Sequence, residues 1–302
     1  MRSRVPKISI VTPSLNQGQF IEDAILSVEG QGYPQVEHLV IDGGSTDNTL
    51  EVLRRYPHIK WISEPDRGQS DALNKGFRLA TGELIGWLNA DEFYLPNAFR
   101  RVGYFAGAHP GAAVIYGDII FVNEIGCFLR PRLEHDFDYK VLLWYGCYIP
   151  SVATFFRRGV VDRGEFLDTT YRVTMDFEYF VRLARLGLPF RHIPVPIGAF
   201  RWQGANASLQ ADVRKGERLR VQRAAMCNQP TWLLDGLARI HWWRRVLLKA
   251  SGGQYYRQWN SRQHRGSGTR WFRSPEEHRN CLRIILGISK GVEGRVSPLG
   301  GF

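Results

Sequence analysis

The chain has 302 residues, of which 44% are hydrophobic, and a formal net charge of +11 at pH 7. This length and apolar content suffice for one large globular domain with an extension. The four cysteines lie far apart without a C-x-x-C pair, which excludes a disulfide framework and a zinc ribbon. The sequence shows neither a secretory signal nor an apolar run of the roughly 20 residues that span a bilayer. We therefore expect a cytoplasmic protein.

The first ninety residues alternate short β-branched segments with segments of helical periodicity. The pattern predicts strands over residues 8–11, 36–41, 60–62 and 84–88, and helices over 20–29, 49–55 and 70–79. Such alternation is typical of an α/β fold with a parallel sheet. Because ligands bind beyond the carboxyl ends of parallel strands, the polar loops after these four strands are the candidate binding region.

The next part of the chain is less regular and predicts a mixed sheet joined to the first half. Its predicted elements are a helix over 96–106, a strand over 113–116, a hairpin around 119–129, a strand over 153–156, a helix over 176–186 and a strand over 192–195. Beyond residue 210, helices are predicted over 215–226 and 231–250. Residues 252–275 are rich in Gly, Ser, Gln and Arg, which predicts a poorly ordered linker.

Two adjacent carboxylates, Asp91 and Glu92, follow the apolar strand predicted over residues 84–88. Carboxylates at a strand end can hold Mg²⁺ or Mn²⁺, and the ion can stabilise a leaving diphosphate. The alternative is an ordinary acidic turn before the helix predicted at residue 96. The pair alone does not decide between a metal site and a turn.

The loops after the second and third strands carry further binding candidates. Asp42 can accept a hydrogen bond from a nucleobase, and Gly43 lets the backbone approach a ligand closely. Ser45 can instead cap the following helix. Arg67 can meet a phosphate, while Asp71 can reach a base or ribose or lie in the first turn of its helix.

Taken in order, the motifs resemble those of the family 2 glycosyltransferases, which have the GT-A fold. They are Val11-Thr-Pro-Ser-Leu-Asn16, Ile41-Asp-Gly-Gly-Ser-Thr-Asp47, Glu64-Pro-Asp-Arg-Gly, Asn74-Lys-Gly, Ala80-Thr-Gly-Glu83, Trp87-Leu-Asn-Ala-Asp91 and Thr174-Met-Asp-Phe-Glu178. The resemblance covers roughly residues 7–208. It implies a Rossmann-like nucleotide-sugar-binding half over 1–95, an acceptor-side half over 96–210, and a mixed central sheet flanked by helices. A basic helical extension over 211–302 completes the expected organisation.

The resemblance also implies roles for individual residues. Asp42 would pair with the donor base, Thr12 and Pro13 would line the nucleoside pocket, and Asp91 would bind Mn²⁺ or Mg²⁺. The other expected donor contacts are Asn16, Gly43, Ser45, Arg67, Asp71, Asn89 and Ala90. Arg201 would approach the diphosphate together with Ser208, and the alternative for Arg201 is a solvated side chain. Asn89 stands where many members have the first Asp of a D-x-D motif, and Trp202 where His is common.

The family's general base belongs to a late acidic motif, which makes Asp176 the expected base of an inverting reaction. A carboxylate there can take the proton of an acceptor hydroxyl as it attacks the anomeric carbon. The alternative is that Asp176 caps its helix. On the acceptor side, Ser151 stands where Gln is common, and Trp144, Tyr145 and Tyr148 either stack on a sugar ring or belong to the core.

The last third of the chain is basic, since residues 201–302 carry 19 Lys and Arg against 6 Asp and Glu. Such asymmetry favours contact with an anionic surface, either membrane phospholipid or nucleic acid. Residues 231–249 combine apolar side chains at helical spacing with arginines and tryptophans. This pattern indicates either an interfacial membrane helix or a helix docked on the catalytic domain. Without a nucleic-acid motif, we do not expect a nucleic-acid partner.

The expected function is transfer of a sugar, with a UDP-sugar as the first choice of donor and GDP and dTDP sugars open. The acceptor would be a glycan or lipid-linked glycan, and the pathway the assembly of cell-surface polysaccharide or lipopolysaccharide. The enzyme would be cytoplasmic, with a possible peripheral site on the inner face of the membrane. The main alternative is a binding protein that holds nucleotide sugars without turnover.

Overall fold

The computed structural model describes residues 5–204, 206, 209–226 and 231–255, with the backbone alone for residues 226 and 231–235. The strands are β1 (Ile8–Ser14), β2 (Val36–Asp42), β3 (Lys60–Ser63), β4 (Leu84–Trp87), β5 (Phe93–Tyr94), β6 (Val114–Val122), β7 (Phe128–Arg132), β8 (Thr154–Arg157) and β9 (Phe190–Arg201). Within the described residues they form one mixed sheet in the order β3-β2-β1-β4-β8-β6-β9-β5, with β7 paired to β6.

Helices flank this sheet, as expected for the α/β class. They are α1 (Ile21–Glu29), α2 (Thr49–Arg54), α3 (Gln69–Leu79), α4 (Ala98–Ala108), α5 (Tyr139–Tyr145), α6 (Arg158–Asp162), α7 (Met175–Arg185), α8 (Ala211–Met226) and α9 (Thr231–Ser251). Their apolar faces pack on both sides of the sheet and bury two large clusters of mainly Leu, Ile, Val, Phe and Tyr side chains. The expected mixed central sheet flanked by helices is therefore confirmed.

The direction of the chain through the sheet creates the crevice in which a ligand can bind. Strands β3, β2, β1 and β4 run parallel, and β1 lies between β2 and β4. From β1 the chain builds the sheet first toward β2 and β3 and then, from β4, in the opposite direction. A reversal of this kind opens a crevice beyond the carboxyl ends of the two central strands.

Two elements differ from the prediction for physical reasons. The strand expected over 192–195 is β9, which runs for 12 residues, and its pairing with β6 is irregular around Pro194 and Pro196. Proline cannot donate to the ladder, so the strand pattern breaks there although the strand continues. Between the predicted hairpin around 119–129 and the predicted strand over 153–156 the sequence predicts no element, but this region contains the helix α5. Its central residues Val141–Leu143 are all buried, so helical periodicity was not visible.

The C-terminal helices α8 and α9 pack against earlier helices of the chain. α9 lies along α5, and α8 lies along α7. Among the described residues, no helix has both the length and the apolar character needed to cross a membrane. Ser208 and all but four residues of the expected linker over 252–275 lie outside the described part of the chain.

Candidate functional site

An open cleft of about 380 Å³ lies beyond the carboxyl ends of β1 and β4. Its walls come from six parts of the chain that are distant in sequence: the end of β1 with the loop after it, the loop before α3 with the first turns of that helix, the turn after β4, Ser151, the start of α7, and the end of β9 with Gln203 and Asn206. Of the residues expected to form the site, Pro13, Asn89, Ala90, Asp91 and Asp176 line this cleft, as does Ser151 from the expected acceptor side. The topology thus brings the predicted metal ligand and the predicted base to one cavity.

The acidic wall of the cleft is built by the turn after β4. Burial raises the pKa of Asp91, while hydrogen bonding from Gln203 and the charge of Arg201 oppose that shift. Glu92 is 1% exposed, and burial together with the charge of Asp91 raises its pKa well above the ordinary value. Asn89 accepts hydrogen bonds through Oδ1 from Gln69 at 2.6 Å and from Trp87 at 2.7 Å. The wall therefore carries two carboxylates held in an environment that disfavours their ionisation.

Asp176 lines the same cleft from the first turn of α7. Burial raises the pKa of its carboxyl group, against smaller opposing contributions from the N–H of Phe177 and the thiol of Cys147. The charge of Asp176 also contributes to the raised pKa of Glu92. The cleft therefore holds carboxyl groups from two distant parts of the chain, close enough for the charge of Asp176 to disfavour the ionisation of Glu92.

Three buried polar atoms on the cleft walls have no hydrogen-bond partner in the described part of the chain. They are Oγ of Ser14, Oε1 of Gln17 and Oε1 of Glu92. Buried polar atoms are normally satisfied, and a group of unsatisfied ones facing a cavity is typical of a polar ligand site. Ser14 and Gln17 were not predicted individually, although both lie in or beside the first strand-end motif.

Asp42 does not line the cleft but holds the loops after β2 and β3 together. Its side chain is fully buried, and Oδ2 accepts hydrogen bonds from the N–H of Gly44 at 3.1 Å, the N–H of Ser45 at 2.9 Å and the hydroxyl of Ser63 at 2.7 Å. The Ser45 hydroxyl donates to Oδ1 of the same carboxylate. In this arrangement Asp42 and Ser45 stabilise the loop after β2 and do not line the cleft.

Asn16 joins the loop after β1 to the loop after β2. Its backbone N–H donates to Oγ of Ser45 at 2.7 Å, and its Oδ1 accepts from the N–H of Thr46 at 2.9 Å. The residue has φ of 53°, a left-handed conformation that Asn tolerates better than most residues. Gly43 lies against Asp66, where a Cβ atom would meet the carboxylate at 2.6 Å. Neither residue lines the cleft, but both fix the loops that border it.

Three other expected donor contacts also lie away from the cleft walls. Thr12 is buried, and its hydroxyl pairs with Nε2 of His38 at 2.9 Å. The guanidinium of Arg67 is 80% exposed and pairs with Asp71 at 3.4 Å. Burial raises the pKa of Asp71, but hydrogen bonds from the backbone and side chain of Arg67 outweigh it and lower the pKa overall.

Arg201 is 1% exposed and is held by protein groups on all sides. Its guanidinium donates to Oδ2 of Asp23 at 2.7 Å, to the carbonyl of Asp91 at 2.8 Å and to the carbonyl of Glu124 at 2.7 Å. It also lies over the rings of Phe20 and Phe93. The guanidinium of Arg201 thus supports the acidic turn through the carbonyl of Asp91, and Arg201 is not among the residues that line the cleft.

Gln203 is a further cleft residue that the sequence did not single out. Its side-chain amide donates to Oδ2 of Asp91 at 2.6 Å. Phe200 lines the cleft beside it, and Trp202, which is 49% exposed, packs against Phe200. In contrast, Tyr148 is fully buried, and Trp144 and Tyr145 pack against the core. Two roles were open for these three aromatic residues, stacking on a sugar ring or packing in the core. The structure shows that they pack in or against the core.

A family model described as glycosyl transferase family 2 matches residues 9–164, just over half of the chain. The chain belongs to glycosyl transferase family 2. This membership confirms the resemblance of the strand-end motifs and the expectation that the protein is a glycosyltransferase.

Several family 2 relatives match most of the chain. An uncharacterised glycosyltransferase of Nostoc sp. is 28% identical over 277 residues, 85% of either chain. A PGL/p-HBAD biosynthesis glycosyltransferase of Mycobacterium bovis is 29% identical over 221 residues, which are 71% of this chain and 84% of the relative. These relatives extend the match beyond residue 164.

Solved structures share the fold at low sequence identity. A mannosyltransferase from Pyrobaculum calidifontis in complex with GDP-Man and Mn²⁺ has a TM-score of 0.59 and 17% identity, covering 95% of this chain and 87% of its own. TarS from S. aureus in complex with UDP-GlcNAc has a TM-score of 0.61 and 16% identity, covering 82% and 74%. The likeness confirms the expected GT-A type of fold for this family 2 member.

Proposed function

We propose that this family 2 member transfers a sugar from a nucleoside-diphosphate sugar to an acceptor hydroxyl with inversion at the anomeric carbon. The observation that carries the proposal is the common cleft of Asp91 and Asp176, which come from distant parts of the chain and line the same cavity. A single base opposite a leaving diphosphate suffices for direct displacement, which inverts the configuration. The unsatisfied polar atoms of Ser14 and Gln17 support a polar donor in the same cleft.

The acidic wall is suited to a divalent cation. Asp91 and Glu92 supply oxygen ligands, and the buried Oε1 of Glu92 has no hydrogen-bond partner among the described residues. The described residues contain no group of three or more His, Cys, Asp or Glu side chains arranged around one metal position. Mg²⁺ and Mn²⁺ sites with one or two carboxylates are usually completed by substrate phosphates and water. When bound, the ion would neutralise charge on the departing diphosphate.

The other cleft residues prepare the attack. Asp176 accepts the proton of the acceptor hydroxyl as that oxygen bonds to the anomeric carbon and the diphosphate leaves. Its raised pKa improves its match to this task, because a general base works best with a pKa near the working pH. Gln203 orients the carboxylate of Asp91, and Asn89 is held in place by Gln69 and Trp87.

The donor test is a thermal-shift panel of UDP-glucose, UDP-N-acetylglucosamine, GDP-mannose and dTDP-glucose, each with and without Mn²⁺. A ligand that binds only the native state raises the midpoint of unfolding. We expect one nucleotide to stabilise the wild type in a Mn²⁺-dependent way and Asp91→Asn to abolish the effect. Asp162→Asn, an exposed carboxylate away from the cleft, is the control. A panel without any shift contradicts the proposal.

Turnover separates the enzyme from a binding protein of the same fold. The stabilising nucleotide sugar is incubated with the wild type and with Asp176→Asn, and released nucleoside diphosphate is measured. Slow transfer to water makes the assay independent of the acceptor. Binding without release would favour a nucleotide-sugar-binding protein, whereas release that depends on Asp176 supports the transferase.

We also propose that the acceptor is lipid-linked and that α9 contacts an anionic membrane surface. The apolar side chains of Ile240, Trp243 and Leu247 are 61–66% exposed and follow each other at helical spacing. Exposed arginines, Arg239 and Arg244, lie beside them. Apolar side chains flanked by Arg are typical of interfacial helices. Another face of α9 packs against α5.

Co-sedimentation with phosphatidylglycerol and phosphatidylcholine vesicles tests the membrane contact. We expect the wild type to bind the anionic vesicles preferentially and the triple variant Ile240→Ser, Trp243→Ser, Leu247→Ser to lose this binding. Tyr104→Ser, which removes an aromatic side chain that is 82% exposed on α4, is the matched control. Equal binding by the triple variant and the control would rule out the α9 surface.

A further inference from the structure

Helix α8 contributes a carboxylate that holds the chain immediately before α7. Glu217 accepts hydrogen bonds from three successive backbone N–H groups, those of Arg172 at 2.7 Å, Val173 at 3.0 Å and Thr174 at 2.8 Å. The hydroxyl of Thr174 adds a fourth bond at 3.1 Å. Successive N–H groups that converge on one anion form a backbone nest. Burial raises the pKa of Glu217, but these hydrogen bonds outweigh it and lower the pKa overall.

The segment that Glu217 holds leads directly into the cleft. Val173, Met175 and Asp176 all line it, and Asp176 is two residues beyond the last N–H that Glu217 accepts. Thr174, at the N-cap position of α7, makes no capping hydrogen bond through its own side chain. The start of α7 is therefore ordered by a residue of a different helix, 43 positions further along the chain.

Other side chains of α8 hold the same region. Arg220 donates to the hydroxyl of Thr170 at 2.9 Å and lies over the ring of Tyr171 at 3.6 Å. On the neighbouring turn, Arg218 donates to the carbonyl of Trp144 at 2.6 Å, and Gln222 donates to that of Leu143 at 2.8 Å. These last two contacts hold the end of α5.

The end of α5 also leads to the base. Cys147 follows α5, and its thiol and the carboxyl group of Asp176 influence each other's pKa, which makes them neighbours. Helix α8 thus holds the segment that carries Asp176 through Glu217, and the segment beside it through Arg218 and Gln222.

We propose that Glu217 is a positioning residue that sets the placement of Asp176, so that α8 is part of the catalytic unit. The inference rests on the proposed role of Asp176 as the base. Loss of the Glu217 carboxylate releases three N–H groups and loosens the turn that carries the base. A misplacement of about 1 Å can lower a rate by roughly 100-fold. Glu217 itself does not line the cleft, so donor binding should not change.

The test compares Glu217→Ala and Glu217→Gln with Asp212→Asn, which neutralises an exposed acidic residue of the same helix. Release of nucleoside diphosphate is measured with UDP-glucose, UDP-N-acetylglucosamine and GDP-mannose. We expect kcat to fall by roughly 10- to 100-fold in Glu217→Ala with KM for the donor unchanged. Glu217→Gln keeps one acceptor oxygen and should lie between Glu217→Ala and the wild type, while Asp212→Asn should match the wild type.

Amide hydrogen exchange gives a second readout that does not depend on turnover. Peptides covering residues 170–177 should exchange faster in Glu217→Ala, while peptides from β1 and β4 keep the wild-type rate. Faster exchange throughout the chain would indicate general destabilisation and overturn the positioning role, as would turnover equal to the wild type. If the wild type itself releases no diphosphate, the proposed function fails, and the positioning role fails with it. Equal turnover in Glu217→Ala removes the positioning role alone.

Discussion

The side-chain amide of Gln203 donates to Oδ2 of Asp91 across 2.6 Å, linking the segment after β9 to the acidic wall. A partner of this kind fixes the orientation of a metal-binding carboxylate. Removing such a partner typically lowers metal affinity by about 10- to 100-fold. We predict that Gln203→Ala raises the Mn²⁺ concentration needed for donor stabilisation by this factor, as measured by thermal shift. Gln19→Ala, at an exposed position, is the control, and an unchanged Mn²⁺ requirement would contradict the prediction.

Arg201 should be needed for folding before it is needed for binding. Arg201→Met leaves Asp23 without its buried counter-charge and frees the carbonyls of Asp91 and Glu124. Breaking a buried ion pair by removing one partner typically costs about 3–5 kcal/mol. We predict a loss of this size in the free energy of unfolding, measured by urea denaturation without ligand. If Arg201→Met keeps wild-type stability but loses donor binding, the role of Arg201 is instead to contact the diphosphate.

Asp42 should likewise stabilise the protein in the absence of nucleotide. Asp42→Asn replaces one acceptor oxygen by an NH₂ group, which cannot accept the hydrogen bonds that Gly44, Ser45 and Ser63 donate. Leaving buried donors unsatisfied costs about 1–3 kcal/mol. Urea denaturation of ligand-free protein measures the loss. Asp162→Asn removes a carboxylate that is 61% exposed and should change stability little. If Asp42→Asn is equally neutral, the carboxylate serves the ligand rather than the loop.

The sequence predicts the β1 to β4 half well because its information is local. Each strand is a short β-branched segment, each helix has a clear periodicity, and each binding loop lies at a strand end. Asp91 follows β4, so the same alternation of elements predicts its place at the edge of the parallel sheet. Asp176 could be singled out only through the resemblance of its motif, because it lies on α7, outside the parallel half.

The parts that the sequence did not predict depend on contacts between distant residues. Arg201 has the chemistry of a phosphate ligand, and only the folded chain shows that Asp23, 178 positions away, holds its guanidinium. Gln203 and Glu217 do not stand out in the sequence, because their roles come from the hydrogen bonds that they form with distant residues. Periodicity fails for α5, whose central residues are buried, and for β9, whose prolines interrupt the strand pattern.

Lys249, a buried lysine of α9, should make the stability of the protein depend on pH in the alkaline range. Burial lowers the pKa of Lys249 from 10.5 to about 8, opposed by the charge of Glu134 and assisted by that of Arg245. Between these two pH values the unfolded chain binds more protons, so the Lys249 contribution to stability rises with pH. Lys249→Met should therefore be the more stable protein below pH 8, with an advantage that disappears toward pH 10.5. Urea denaturation across this range measures the difference, and exposed Lys140→Met should not show the same trend.

Asp176→Asn should separate activity from stability. Without a carboxylate to accept the proton, kcat should fall by about 10²- to 10⁴-fold while donor binding is retained. Because burial raises the pKa of Asp176, wild-type activity should decline with falling pH at a higher pH than for an ordinary aspartate.

The raised pKa also predicts the stability of this variant. The native state disfavours the ionised carboxyl group, so replacing it by a neutral amide removes a cost that is present at high pH and absent once the group is protonated in both states. Asp176→Asn should thus be at least as stable as the wild type at neutral pH, and its advantage should vanish in strong acid. Melting temperatures and diphosphate release measured over the same pH series test both effects. An active Asp176→Asn would exclude Asp176 as the base, whereas an inactive variant that is also unstable at neutral pH would show that the carboxylate is needed for the structure of α7.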